Sequence, residues 1–196
     1  DHTFSGVMFT IECKSDLPVE FIEVDSVAVR GELGALTVWT TPDTWRGCHE
    51  EESEWTKLYE KKHKASFRNY EELKFETPLK IPRGKSVGMY VHSKASGDEA
   101  IVYDNQRGRV THRDKFIKIG PGLAHLSNVP FSSWHPWGAW RERRQFVGKV
   151  SYGVKYKLWN PEQDTHRDFP DSFKQLVNQM LMIKPQEGCP ISWLSN

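Results

Sequence analysis

The sequence predicts an all-β chain, an antiparallel β-sandwich of jelly-roll type followed by a C-terminal amphipathic helix. Three observations carry that expectation. About nine short segments alternate apolar and polar residues at period two, separated by turn residues, with no helix-period stretch before residue 160. The strands do not alternate with helices, which argues against a parallel βαβ sheet. The longest regular pattern runs from Phe146 to Leu158. There Phe146, Gly148, Val150, Tyr152, Val154, Tyr156 and Leu158 share one parity, and Lys149, Ser151, Gly153, Lys155 and Lys157 the other. One long strand with a core face and a water face is expected.

In chain order, Val7, Phe9, Ile11 and Cys13 alternate with Met8, Thr10, Glu12 and Lys14, a first strand. Asp16-Leu-Pro18 is turn material, and Val19 to Val29 is a second strand with both faces partly apolar. Gly31 to Gly34 turns the chain into Leu36 to Thr41, which ends at Pro42-Asp43. A polar, acidic segment from Trp45 to Glu54 leads to a short strand, Trp55 to Tyr59, and then to a basic stretch through Lys64 to Arg68. Leu73 and Phe75 lead to Pro78, then Leu79 and Ile81 to the turn Pro82-Arg-Gly84. Ser86 to Ser93 has Val87, Met89 and Val91 on one side and Tyr90 and His92 on the other. Lys94 to Asp98 is a polar loop into Ala100 to Tyr103, and Phe116 to Ile119 is closed by Gly120-Pro-Gly122. Phe131 to Arg144 reads as a loop unlike the rest, with three tryptophans and three arginines.

The tail changes character. Asp168-Phe-Pro170 offers an N-cap, and Phe173, Leu176, Val177, Met180 and Leu181 recur at helical spacing, to stop before Pro185. Residues 1–160 are therefore expected to form the recognition domain, and 161–196 a helical extension or linker. The helix's apolar face needs a partner in this chain or in another domain. The chain opens at Asp1, as a mature form or a piece of a longer protein would, and neighbouring domains are expected.

With 196 residues, 37% hydrophobic and 27% charged, the chain has the make-up of a soluble globular domain able to bury a core without metal or disulfide. Lys and Arg number 27 against 26 Asp and Glu, so no overall field draws nucleic acid. No apolar run approaches the ~20 residues of a membrane span, so membrane insertion is not expected. Cys13, Cys48 and Cys189 are an odd number without a CxxC pair, and there is no Asn-x-Ser/Thr sequon. Both features favour a reducing, cytoplasmic setting over a secreted one.

Gly6-Val-Met-Phe-Thr-Ile11, Val38-Trp-Thr40, Trp45-Arg-Gly47, Trp55, Ile81-Pro-Arg-Gly84, Gly88-Met-Tyr-Val91, Tyr103-Asp-Asn105, Pro130-Phe131 and Arg144 to Tyr152 form a further pattern. Together they resemble a β-sandwich module that recurs in large multidomain proteins of bacteria, algae and other protists. The strand order and the Phe75 to Gly84 phrase are also similar to the PHR domain, a β-sandwich found beside ubiquitin-ligase and BTB modules. The resemblance spans residues 6 to 158 and implies a sandwich set among other domains. Asp104-Asn105-Gln106 stands where the bacterial members carry an Asn-Gly turn, and the three-tryptophan loop is longer than the pattern requires. Both departures bear on any ligand site carried over from the family.

The candidate site is Trp134, His135, Trp137, Trp140, Arg141 and Arg143. Exposed Trp and Arg dominate interface hot spots, Trp faces stack on sugars, and guanidiniums fork onto carboxylate or phosphate. The bland alternative is that two or more of these tryptophans cap an open end of the sandwich while the arginines make rim ion pairs. Arg144, abutting the core strand, is expected to be structural. Arg107, Arg109, His112, Arg113, Lys115 and Lys118 make a basic segment, diluted by Asp104, Asp114 and Glu142, that reads as a solvated strand face. Asp98, Glu99, Asp104 and Asp114 match no calcium loop. His92, His112, His125 and His135 lack zinc spacing and read as edge or core-rim residues. Cys48 and His49 are adjacent on an extended chain, point opposite ways and cannot pair as nucleophile and base.

No nucleotide, hydrolase or metalloprotease motif is present. The expectation is a non-catalytic recognition module that binds a protein partner and needs no cofactor. The alternatives are a carbohydrate-binding module and a carboxylate-based hydrolase, whose acids leave no local signature.

Overall fold

The period-two segments fold as strands, the one from Phe146 divided between two of them, and every pairing among the described residues is antiparallel. The structure, a computed structural model, describes residues 2–157. Its elements are β1 (His2–Phe4), β2 (Gly6–Cys13), β3 (Val19–Gly31), β4 (Gly34–Pro42), a 3-10 turn (Glu52–Glu54), β5 (Thr56–His63), β6 (Ser66–Pro82), β7 (Ser86–Ser93), β8 (Ile101–Asn105), β9 (His112–Arg113), β10 (Ile117–Ile119), β11 (Gly122–His125), β12 (Trp140–Phe146) and β13 (Lys149–Tyr156). The expected helix over Phe173 to Leu181 and the boundary at residue 160 lie outside the described residues.

The strands form a large sheet in the order β1-β8-β12-β11-β2-β7-β4-β5, with β10 and β9 off β2, and a small one in the order β13-β3-β6. The two share one apolar core. Val7, Phe9 and Ile11 of β2, Val38 of β4, and Met89 and Val91 of β7 pack with Ile22, Val24 and Val27 of β3 and Leu73 and Ile81 of β6. These are the alternating positions of the sequence, and fully burying each such side chain stabilises by about 1.5–3 kcal/mol.

The opposite face of the large sheet is apolar as well. Met8, Trp39, Tyr90 and Leu123 point there, and Trp45, Trp55 and Phe131 from the connecting loops close over them. Loops thus supply a third layer. This is why β7 is buried at both parities over its last six residues, Gly88 to Ser93.

The stretch from Phe146 is not one strand. Phe146 ends β12 in the large sheet, stacked on Phe9 at 4.2 Å. The chain then crosses at Val147-Gly148 into β13 of the small sheet. A Cβ on Gly148 would lie 2.3 Å from the Ala28 carbonyl oxygen and 2.4 Å from the Phe146 ring, so only glycine fits the crossing. The two-residue junction preserves parity, so Phe146 on β12 and Val150, Tyr152 and Val154 on β13 all turn toward the core. Val150, Tyr152 and Val154 are half-buried on this edge strand, and Tyr156 is 50% exposed.

Three other boundaries also shift. The segments on either side of Pro78 are one strand, β6, in which residues 75–78 bulge opposite Asp25; a bulge on an outer strand is where proline's missing N–H does no harm. Gly120-Pro-Gly122 does not reverse the chain. β10 and β11 follow each other along the same partner, β2, and a Cβ on Gly122 would lie within 1.9 Å of the Met8 carbonyl oxygen. The tryptophan-rich loop ends at Ala139, so Arg141, Arg143 and Arg144 stand on strand β12.

Candidate functional site

Beneath the candidate loop lies a buried polar relay that fixes its backbone. His125 of β11 is fully buried, with Nε2 2.9 Å from the Ser132 carbonyl oxygen and Nδ1 2.5 Å from the Tyr90 hydroxyl. A carbonyl only accepts, so Nε2 carries the proton and the Tyr90 hydroxyl donates to Nδ1. His92 of β7, also fully buried, donates from Nε2 to the Ser127 carbonyl at 3.0 Å, while its Nδ1 is buried without a partner. Burial pushes His92 down to about 3 and His125 down to about 4, so both rings are neutral near pH 7. The expected rim histidines are thus, for these two, core groups that pin the carbonyls of Ser127 and Ser132.

Phe131 supplies the apolar anchor. It holds a left-handed backbone (φ 60°) and seats its ring edge-on between Trp39 at 5.3 Å and Tyr90 at 5.1 Å. Trp140, on the other end of the loop, stacks flat on His125 at 3.9 Å and donates Nε1–H to Glu50 at 2.8 Å. His49 meets Trp140 edge-on at 5.1 Å. Trp140 is therefore a cover over the relay, where the bland reading of the loop expects two or more such tryptophans.

Trp134 and Trp137 behave differently. Their turn is internally braced: the Trp134 N–H donates to Ser132 Oγ at 3.2 Å, the Trp137 N–H to His135 Nδ1 at 3.3 Å, and the Gly138 N–H to the His135 carbonyl at 2.9 Å. The Arg141 guanidinium reaches back to the carbonyls of Trp140 at 2.9 Å, Gly138 at 3.4 Å and Trp137. A fixed backbone thus presents two indoles that are 74% and 77% exposed. Together with His135 and Arg141 they line an open cleft of about 620 Å³, shared with Phe4, Asp98 and Asn128.

The six expected site residues therefore separate. Trp134, His135, Trp137 and Arg141 share one cleft, Trp140 packs behind it, and Arg143 lines a different cleft of about 410 Å³ with Arg46, Arg107 and Arg109. Arg141 spends its donors on loop carbonyls, so it braces the turn. Arg144 lies over the Tyr103 ring at 5.9 Å and donates to the Glu142 carbonyl at 2.6 Å. Phe4, Asp98 and Asn128, distant in sequence, gave no local signal. Tyr90 and His92 did: they are the second buried face of the Ser86 to Ser93 strand.

The remaining groups are held structurally. Asp114 accepts the N–H groups of Phe116 at 2.7 Å and Ile117 at 2.8 Å and the Tyr152 hydroxyl at 2.7 Å. Burial raises its pKa, and the hydrogen bonds from Ile117, Tyr152 and Phe116 outweigh that and hold it below the usual carboxylate range. The Cys48 thiol, 3.4 Å from the Thr44 carbonyl, is pushed up by burial, the reverse of an activated nucleophile. Among the described residues no group of three or more His, Cys, Asp or Glu is placed to hold a metal ion, and no helix is long and apolar enough to cross a membrane.

Comparison with family models, with curated proteins and with solved structures found no match to this chain.

Proposed function

We propose that the two packed sheets form a β-sandwich of jelly-roll type serving as a non-catalytic recognition module of a larger protein, with the Trp134–Trp137 cleft taking a protein partner. One observation carries this reading. Two neighbouring indoles stay about three-quarters exposed on a turn whose backbone is fixed by its own hydrogen bonds, the Arg141 clamp and the relay below. Exposed apolar surface on a rigid platform costs solubility and gives no folding energy in return, which is the mark of a docking site. The resemblance to modules of large multidomain proteins supports the same reading. A carboxylate-pair hydrolase is disfavoured there, because Asp98 is the one carboxylate among the residues lining the cleft.

A randomised peptide library selected on the folded protein tests the proposal. Peptides recovered should lose at least ~30-fold in affinity with Trp137→Ala or Trp134→Ala, as hot-spot truncations do, while the thermal midpoint stays unchanged. Binding that survives both substitutions would refute the reading.

A glycan-binding cleft is the second reading, favoured by Asp98 and Asn128 in the same cleft as the indoles, polar groups suited to sugar hydroxyls. Binding on a glycan array that is lost in the same two variants would select it over a protein partner.

A further inference from the structure

The second cleft has a chemistry of its own. Arg46, Arg107, Arg109 and Arg143 line it with Trp45, Gly108, Pro121 and a single carboxylate, Glu142. Four arginines line the cleft with one acid, and among the described residues none of the four makes an ion pair. Like charges gather only at a cost, and the one carboxylate in the cleft, Glu142, leaves the four exposed arginines in excess.

The backbone is arranged to produce that convergence. On β12, Glu142 faces Leu123 and Arg144 faces Gly122, so Arg143 is an extra residue in a bulge. It sits in the left-handed region at φ 55°, which an unbranched L side chain enters only at a cost. A bulge re-aims the side chains beside it, and this one sets Glu142 and Arg143, sequence neighbours that a regular strand would point opposite ways, into the same cleft. The facing loop is tied to the bulge. The Gln106 N–H donates to the Arg143 carbonyl at 3.0 Å, and Gln106 Oε1 accepts the Gly108 N–H at 2.8 Å, holding the turn that carries Arg107 and Arg109.

We propose that this cleft is an oxyanion site that takes up the phosphate monoester of a phosphorylated peptide. Guanidiniums match phosphate oxygens as forks, and a dianion answers several of them at once. The aromatic wall favours a peptide over the other anionic polymers. Trp45 is buried and one ring face already carries the Arg46 guanidinium at 4.5 Å, so the cleft offers no free indole on which a sugar or a nucleobase would stack. The site shares no residue with the Trp134–Trp137 cleft and does not depend on it.

Fluorescence anisotropy with a short labelled peptide bearing one phosphoserine tests the assignment. Competitors are the unphosphorylated peptide, inorganic phosphate, a sulfated disaccharide and a single-stranded oligonucleotide. The phosphopeptide should bind at least tenfold more tightly than its unphosphorylated form, weaken as salt rises, and lose at least tenfold in Arg143→Gln and in the double variant Arg107→Gln/Arg109→Gln. Arg143→Gly, which suits the left-handed backbone, should lose the same affinity while remaining folded. Trp134→Ala should bind like wild type, which separates this site from the partner cleft. The proposal is overturned by absent phosphopeptide binding, by binding that survives the arginine substitutions, or by a disaccharide, oligonucleotide or free phosphate that competes as well as the phosphopeptide.

Discussion

Acid should destabilise this protein through His92 and His125. Both are fully buried and neutral, held down to about 3 and about 4 by burial, against 6.5 for a free imidazole. The sign follows from proton counting. Below pH 6.5 the unfolded chain takes up protons at these two positions and the folded chain does not, so stability falls as pH falls, until the folded pKa values are reached. At pH 5 each histidine lies about 1.5 units below its unfolded pKa, worth about 2 kcal/mol, or about 4 kcal/mol for the pair. That is a large share of the roughly 5–15 kcal/mol that holds a domain together. Asp16, Glu60 and Asp114 are held below their usual range by their partners, so what these three contribute is lost at lower pH. Urea unfolding followed by tryptophan fluorescence at pH 7.5, 6.0 and 5.0 measures the slope. His92→Gln or His125→Gln, each keeping a donor near the carbonyl it serves, should cut the loss between pH 7.5 and 5.0 to about half. A stability that stays flat down to pH 5, or a full slope in both variants, would refute the argument that these rings are the acid-sensitive groups.

Three further outcomes follow from the backbone and the loop layer. Gly148→Ala should cost at least ~2 kcal/mol, because its Cβ would meet the Ala28 carbonyl and the Phe146 ring and push the two sheets apart at their crossing; chemical denaturation measures it. Arg143→Gly should raise stability by about 0.5–1 kcal/mol by relieving the left-handed backbone, a gain visible as a higher thermal midpoint. Trp140→Ala should cost about 3 kcal/mol, since it uncovers His125 and unpairs Glu50, whereas Trp134→Ala and Trp137→Ala should move stability by less than ~0.5 kcal/mol. Equal losses for all three would mean that the loop is one packed cap.

The strands were legible because period two survives in sequence wherever one face meets the core, as in Val7 to Cys13 and Val19 to Val29. Division into sheets was not, because parity is blind to which sheet a strand joins: Phe146 and Val150 keep step across the crossing at Val147-Gly148. The third layer was half visible. Tyr90 and His92 share one side of their strand, but nothing local says that Trp45, Trp55 and Phe131, scattered over the chain, close upon that side. The tryptophan loop stood out by composition alone, yet composition cannot tell Trp140, stacked on a buried histidine, from Trp137, which faces water. The basic segment reads as a solvated face, and Arg107, Arg109, His112 and Arg113 are exposed; that Arg46 and Arg143 come beside Arg107 and Arg109 from other parts of the chain leaves no local mark in the sequence.

Strand β12 explains how two unlike clefts lie so near each other. Its first residues brace the indole turn through Arg141, which stands opposite Ala124; two positions on, the bulge turns Arg143 towards the loop of Arg107 and Arg109. Trp140, opposite His125, packs on the aromatic layer and ties the strand to it, while Glu142, opposite Leu123, is exposed. The bulge therefore separates the two clefts by a change of register within one strand, and the same strand that braces the indole turn also carries Arg143 of the arginine cluster. A partner carrying a phosphorylated residue beside an aromatic-binding segment could engage both clefts at once, and the gain would show as coupling. For one labelled partner, Trp137→Ala and Arg143→Gln should each lower affinity if it spans both clefts, and only one of them should if the clefts bind separate ligands.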